Sequence, residues 1–356
     1  TISRPAFDAI EHFTSAFYER HPGLFASRLR DRRILDCHGD LHLEHIHLAP
    51  RAINIYDCIE FNDRFRYIDV ANDVAFLAMD LDFNGRPDLS RYLVMRMADE
   101  LGDGRMAGLM DFYKCYRAYV RGKVESFHSV AHAAPEDEKK ESADCARRYF
   151  QLALRYAVAG SGPVVIALMG RIASGKSVQA AALAEELGWG AVSSDRVRKE
   201  LAGVPLHRRG TPAEREKLYS AAMTERTYAH LAEAAEGCGV TGGGVILDAT
   251  FGRQEQREAL QSRLGRRGLR VQFVELRVSD EVIKDRLGKR DTSPTEVSDA
   301  RLEDFEMLTE SYQSPVELRP EAVIAVNADG ERDHTLAAIL RRLATSRATA
   351  PEQGGR

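Results

Sequence analysis

The sequence predicts an α/β protein in two parts: a mainly helical N-terminal part, and a C-terminal part built on a parallel sheet with helices on both faces. Three observations predict it. Before residue 160, apolar residues recur at helical spacing over long stretches. After residue 163, short apolar runs alternate with helical patterns, the order that gives parallel strands joined by crossover helices. Between the two, Gly160-Ser161-Gly162-Pro163 has the composition of a linker.

Taken in order, residues 5–33 read as helical, with apolar positions at Phe7, Ile10, Phe13, Phe17, Leu24, Phe25 and Leu29. Two short apolar runs follow, Ile34 to Cys37 and Ile53 to Tyr56, with His38 to Pro50 between them. From Ile68 the pattern is helical again, over 70–81, 89–101, 106–130 and 135–159. Pro135 followed by Glu136, Asp137 and Glu138 suits a helix start, since proline is tolerated in the first turn and acids favour the positive end. That charge run reads as a solvated face. Beyond the linker, strands are expected at 164–169, 190–193, 244–248, 271–276 and 322–326. Helices are expected at 176–187, 195–201, 212–236, 253–267, 280–288, 296–311 and 333–345. The polar stretch from Ser346 to Arg356, with its proline and glycines, is expected to be disordered. The domains are therefore 1–158 and 163–345, with 346–356 as a tail.

The 356 residues exceed what one core comfortably organises, about 250–300. A 44% hydrophobic and 29% charged composition is that of an ordinary globular protein. The net charge of −4 gives no general nucleic-acid footprint. No apolar stretch reaches the roughly 18 residues of a membrane span. The five cysteines, at 37, 58, 115, 145 and 238, lack C-x-x-C spacing and read as reduced thiols of a cytoplasmic protein.

Gly170-Arg171-Ile172-Ala173-Ser174-Gly175-Lys176-Ser177 has the pattern G-x-x-x-x-G-K-S. It follows the apolar run 164–169 and opens a helix that begins with Val178 after Ser177. In that setting glycines let backbone N–H groups turn inward around phosphate oxygens, and the helix N-terminus adds positive partial charge. Lys176 is then placed to reach the β- and γ-phosphates, and the Ser177 hydroxyl to ligate Mg²⁺. Residues 170–178 are thus expected to bind a nucleoside triphosphate, ATP with Mg²⁺.

Three further features suit phosphoryl transfer, which asks for positioning and charge neutralisation more than covalent chemistry. In Ser193-Ser194-Asp195-Arg196-Val197-Arg198 a strand gives way to a helix at an Asp with an Arg three residues on. Asp195 is the candidate base for an acceptor hydroxyl and Arg198 a contact for an anionic part of the acceptor; the alternative is that Asp195 only caps the helix. Val245-Ile246-Leu247-Asp248 ends a strand in a carboxylate, suited to holding Mg²⁺ or orienting the acceptor, or else a structural strand-end residue. Thr250 and Arg253 are weaker candidates for the same crevice. Arg286 and Arg290, four apart, share a helix face and precede Asp291-Thr292-Ser293-Pro294, the build of a mobile lid with arginines for phosphates.

With these residues in hand, the segment from about 163 to 345 resembles the P-loop kinases related to gluconate kinase, shikimate kinase and the kinase domain of polynucleotide kinases, of the broad AAA-family ATPase type. The resemblance rests on the Walker A loop 170–177, Asp195 with Arg198, Leu247-Asp248-Ala249-Thr250-Phe251, and the pair 286/290. It implies Asp195 as base and Arg198 as an acceptor contact.

In the N-terminal part, His38-Gly39-Asp40-Leu41-His42-Leu43-Glu44-His45 is followed seventeen residues after Asp40 by Asp57. A loop Asp after one strand and a strand-end Asp after the next bring two carboxylates near each other, one to activate a hydroxyl and one to hold Mg²⁺. An alternative is a transition-metal site built from His38, His42, His45 and His47. The stretch resembles the catalytic loop H-G-D-L-H-x-x-N of the aminoglycoside phosphotransferase family, a branch of the protein-kinase-like fold. The resemblance covers about residues 5–130, the large lobe only, and implies Asp40 as base and Asp57 as a metal ligand. The family's Asn is His45 here, a poorer partner for hard Mg²⁺. Residues 1–33 contain neither a lysine nor a glycine-rich loop, so with Thr1 as first residue the upstream small lobe is expected to be missing. Asp69 and Asp73 are expected to brace the loop and cap a helix. The whole resembles tandem predicted kinases pairing such a lobe with a gluconate-kinase-like domain.

The expected activity is transfer of the γ-phosphoryl of ATP to a hydroxyl of a small molecule. The alternatives are an ATP-dependent switch or binding module, and a polynucleotide 5′-hydroxyl kinase, against which the acidic balance weighs.

Overall fold

The computed structural model describes residues 1–131, 135–208, 211–240, 243–291, 298 and 300–349. The chain divides into two units, Thr1–Ser161 together with Leu343–Arg356, and Gly162–Arg342.

In the first unit, α1 (Arg4–Arg20) buries Ala6, Ile10, Phe13 and Phe17, the i, i+3/i+4, i+7 stripe of an amphipathic helix. It ends at His21, and α2 (Pro22–Arg30) restarts with proline in its first turn. The single helical stretch read over 5–33 is thus two helices. The residue before a proline is pushed out of the α region, and Pro22 has no N–H to continue the ladder.

Strand β1 (Ile34–Asp36) follows. Next, β2 (Ile46–Ala49) and β3 (Ala52–Ile55) form a two-residue hairpin with Ile46 opposite Ile55. Helix α3 (Asp63–Arg66) leads to β4 (Tyr67–Asp69), which pairs antiparallel with β1. Helices α4 (Val70–Phe83), α5 (Pro87–Glu100), α6 (Met106–Ser129) and α7 (Glu136–Val158) complete the unit. Along α6, a Cβ on Gly122 would meet the Phe150 ring of α7 at 2.9 Å, so the glycine sets how closely the two helices approach.

In the second unit, β5 (Val164–Met169), α8 (Lys176–Leu187), β6 (Gly190–Ser193), α9 (Ser194–Ala202), α10 (Pro212–Leu218), α11 (Ala221–Val240), β7 (Gly244–Asp248), α12 (Gln254–Gly265), β8 (Arg270–Arg277), α13 (Asp280–Asp291), α14 (Phe305–Glu310) and β9 (Val323–Asn327) alternate along the chain, followed by α15 (Arg332–Ala348), whose residues from Leu343 on belong to the first unit. The five strands are all parallel in the order β6-β7-β5-β8-β9. Every residue of β5 and β7 is buried, as strands covered on both faces require. This is an α/β fold with a five-stranded parallel sheet.

Three further helical segments differ from the sequence expectation. The helix read over 212–236 is split at Tyr219 and Ser220 into α10 and α11. The one read over 296–311 is, among the described residues, a 3₁₀ turn at Leu302–Asp304 running into α14. Ser346 to Ala348, read as the start of a disordered tail, complete α15, because Ala344 and Ala348 are fully buried. Residues 350–356 lie outside the described residues. Among the described residues, no helix is long and apolar enough to cross a membrane.

Candidate active site

In a parallel sheet the carboxyl ends of the strands open onto the crevice where ligands bind. Central strand β5 delivers the chain there to Gly170, where φ is +142° and a Cβ would stand 2.6 Å from the backbone O of Leu276. Only glycine turns so tightly beside β8. Gly175 (φ +91°) closes the loop as the residue before α8, and Ala173 (φ +52°) also sits in the left-handed region. For a residue with a Cβ that conformation costs roughly 1–2 kcal/mol.

Lys176, the first residue of α8, folds its ammonium across the loop, donating to the carbonyls of Gly170 (3.1 Å) and Arg171 (2.8 Å). Arg171 is turned away, paired with Asp280 at 2.6 Å. Neighbouring β7 ends at Asp248, in register with Leu168 of β5 and Ser193 of β6. Burial pushes the Asp248 carboxyl above its ordinary range, and Asp195 adds to that; the Lys176 charge and the side chains of Ser177 and Ser193 pull the other way.

Asp195 lies in the first turn of α9, whose N-cap residue is Ser193. Its side chain pairs with Arg198 at 3.5 Å. Arg198 is buried, its guanidinium 4.5 Å from the centre of the Tyr219 ring, and its Nε has no hydrogen-bond partner.

These groups share one cavity of about 470 Å³, lined by Ile172 to Ser177, Asp195, Arg198, Asp248 and Thr250. Gly170, Arg171 and Val178 are not in its walls, though the Gly170 amide donates to the carbonyl of Thr250 at 3.3 Å. Arg286 reaches the loop from another side, with Nη1 3.4 Å from the carbonyl of Ala173 and Nη2 2.7 Å from that of Ala328. Arg290 falls in α13, but its side chain and the segment 292–297 of the expected lid lie outside the described residues.

The cavity is also lined by side chains the sequence did not single out: Arg215, Tyr219, Tyr228 and Tyr312. Arg215 pairs with Glu303 and Asp304 at 3.0 Å each, and Tyr312 donates to buried Glu275 at 3.0 Å. None sits at a motif spacing, and the helix break at Tyr219 was itself not read in the sequence. Arg253, read as a weak candidate, is also in the wall.

In the first unit, Asp73 accepts the amides of His38 and Gly39, both at 3.0 Å, and Asp69 caps α4 by accepting from Ala71 at 2.9 Å. The loop they brace carries Asp40, His42 and His45. Hydrogen bonding from His42 holds the Asp40 carboxyl below its usual range against the opposing effect of burial, with His45 and Arg121 adding to the lowering. His45 stands between the two expected carboxylates: Nδ1 is 3.8 Å from Asp40 Oδ2, and Nε2 is 3.4 Å from Asp57 Oδ2. Asp57 itself is exposed and has φ +63°.

Comparison with known proteins bears on the second unit first. Residues 165–315 match the family model of an AAA domain. Over 259 residues, 72% of its length, the chain is 35% identical to an uncharacterized protein of Mycobacterium tuberculosis and, equally, to one of Mycobacterium bovis; it spans about half the length of these curated relatives, 50%. Among solved structures, a gluconokinase from Sinorhizobium meliloti is 19% identical, with a TM-score of 0.37 over 52% of this chain and 92% of that one. A shikimate kinase from Bacteroides thetaiotaomicron is 19% identical, with a TM-score of 0.34 over 51% and 95%. The C-terminal part of the chain therefore carries an AAA-type P-loop domain.

Proposed function

We propose that the second unit binds ATP with Mg²⁺ at residues 170–178 and transfers the γ-phosphoryl group to a hydroxyl of a small anionic molecule. The observation that carries this reading is that Lys176, Asp195, Arg198 and Asp248 line one cavity. Backbone that only glycine adopts at Gly170, followed by a helix N-terminus, fits a triphosphate. Ser177 and Asp248 are hard oxygen donors of the kind Mg²⁺ takes. When bound, the ion would neutralise charge on the phosphates.

In this reading Lys176 exchanges its two carbonyl partners for phosphate oxygens, since an ammonium gains more from an anion than from neutral acceptors. Asp195 takes the proton of the acceptor hydroxyl. Arg198 supplies its unpartnered Nε–H to an anionic group of the acceptor, with its plane held by Tyr219. Arg286 braces the phosphate loop, and with Arg290 it stands as the candidate cation pair for the transferred group. Thr250 orients the acceptor.

The first unit we read as an aminoglycoside-phosphotransferase-like large lobe, with Asp40 as base and Asp57 as metal ligand; the bracing of its loop by Asp73 supports this.

The test is a mass-spectrometric screen of metabolite mixtures incubated with ATP, scoring species that gain a phosphate. Lys176→Ala is expected to cut any such activity by about 100-fold or more. Activity unchanged in that variant would refute the assignment.

A further inference from the structure

The loop of the first unit brings together a constellation whose two histidines the phosphotransfer reading leaves without a role. Side-chain ligand atoms of Asp40, His42 and His45 lie within 4.8 Å of one another. His42 Nε2 is 3.5 Å from Asp40 Oδ2, and His45 Nδ1 is 3.8 Å from the same oxygen. Bonds of about 2.0–2.2 Å to a tetrahedral cation put neighbouring ligand atoms roughly 3.3–3.6 Å apart. The two spacings to Asp40 Oδ2 are at or slightly above that edge, and all three ligand atoms lie within 4.8 Å of one another.

The far side of each imidazole strengthens the case. His42 presents its other nitrogen, Nδ1, to Glu44 Oε2 at 3.5 Å, and His45 presents Nε2 to Asp57 Oδ2 at 3.4 Å. A carboxylate on the outer nitrogen can take up the ring proton once a cation occupies the inner one, the arrangement usual behind metal-bound histidines. His45 Nδ1 also lies 2.9 Å from the carbonyl O of Asp40. In the ion-free protein His45 donates Nδ1–H to that carbonyl, and a cation at Nδ1 would replace this proton.

Burial fits a cation that enters from one side: the His42 side chain is 5% exposed and that of His45 14%, while that of Asp40 is 40% exposed. The rings of His42 and His45 lie 4.0 Å apart, and Asp73 fixes the backbone of the loop by accepting from His38 and Gly39.

We propose that Asp40, His42 and His45 bind one divalent transition-metal ion of the zinc class, with Glu44 and Asp57 as positioning residues on the two imidazoles. Two nitrogens and one carboxylate are softer than the all-oxygen set Mg²⁺ prefers. Three protein ligands leave a coordination position for water. This does not depend on the phosphotransfer reading of the second unit, and in the first unit it stands in place of the base role of Asp40 and the ligand role of Asp57; with an ion bound, the Asp40 carboxylate is no longer available as a base.

The test uses the full untagged chain, freed of metal by chelator and dialysed, then titrated with Zn²⁺ alone by calorimetry, with bound metal counted by elemental mass spectrometry. One equivalent is expected to bind and to be lost in His45→Ala and in Asp40→Asn. His42 is buried, so its variant risks the fold and is not relied on. Glu44→Gln, at an exposed side chain, is expected to weaken Zn²⁺ binding by about 10–100-fold without removing it, as loss of an outer partner does. In the Co²⁺-substituted protein, the visible absorption of a low-coordinate nitrogen/oxygen site is expected, and it should vanish in His45→Ala. Zn²⁺ binding that is absent, or that persists unchanged in His45→Ala and Asp40→Asn, overturns the proposal.

Discussion

At the scale of single residues, the second unit stores cost where its chemistry is proposed to lie. Asp248 is 5% exposed, and burial raises its carboxyl above the ordinary value of 3.8. A raised pKa means that the folded state binds the proton more tightly than the unfolded chain. Asp248 therefore favours folding most below pH 3.8, and that advantage is lost as the pH rises through the ordinary carboxylate range to the folded-state pKa. Asp248→Asn removes the charge while keeping the shape. We expect it to raise the melting temperature of the ligand-free protein at neutral pH and to flatten the fall in stability as the pH rises above the ordinary carboxylate range, while phosphotransfer falls by about 10–100-fold. Thermal melts of the two proteins across that window decide it; a variant that is less stable at neutral pH would contradict the account. This residue was legible in the sequence because a strand-end Asp after an apolar run announces itself locally. Tyr228 and Tyr312 were not: they meet the cavity through the fold of α11 and the segment after α14, and no local spacing encodes that.

At the scale of elements, the first unit is pinned by a charge cluster that carries no proposed chemistry. Arg28 of α2 donates to Asp69, at the end of β4, at 2.7 and 2.8 Å, and to Asp103, between α5 and α6, at 2.6 Å. All three side chains are at most 4% exposed. Burying such a group contributes little net stability, but removing one member leaves an uncompensated charge, at a cost of about 3–5 kcal/mol. Asp103→Ala is expected to lower the free energy of unfolding by that order in denaturant titrations, and Arg28→Met, which strands two carboxylates, by at least as much. A change below about 1 kcal/mol in both would show the cluster to be dispensable. The same elements show why sequence reading reached as far as it did. The buried strands β5 and β7 are continuous apolar runs, and the helices α4 to α7 carry strong periodicity, so their extents were readable to within a few residues. Strand β2 was not seen, because Ile46 to Ala49 buries no face and its pairing with β3 depends on a two-residue turn at Pro50 and Arg51. Pro22 held a break that the apolar spacing on either side concealed.

At the scale of the whole molecule, each unit has its own core, and the two proposed sites lie one in each. The second unit gathers Val165, Ala167, Leu247 and Phe273 of its sheet with Leu231, Leu260 and Leu264 of its helices. The first builds on Phe13, Phe76, Met106 and Tyr149. A ligand stabilises only the structure that binds it, by RT ln(1 + [L]/Kd), about 2.7 kcal/mol at a hundredfold excess over Kd. Calorimetry of the full chain should therefore show a heat-absorption profile that ATP with Mg²⁺ shifts in one part and Zn²⁺ in another. Lys176→Ala should abolish the first shift and leave the second, and His45→Ala should do the reverse. The crossed design separates the two readings, since either site can fail without touching the other. If ATP with Mg²⁺ moves the whole profile equally in wild type and Lys176→Ala, the nucleotide acts somewhere other than the loop at 170–178, and the assignment of the second unit falls with it.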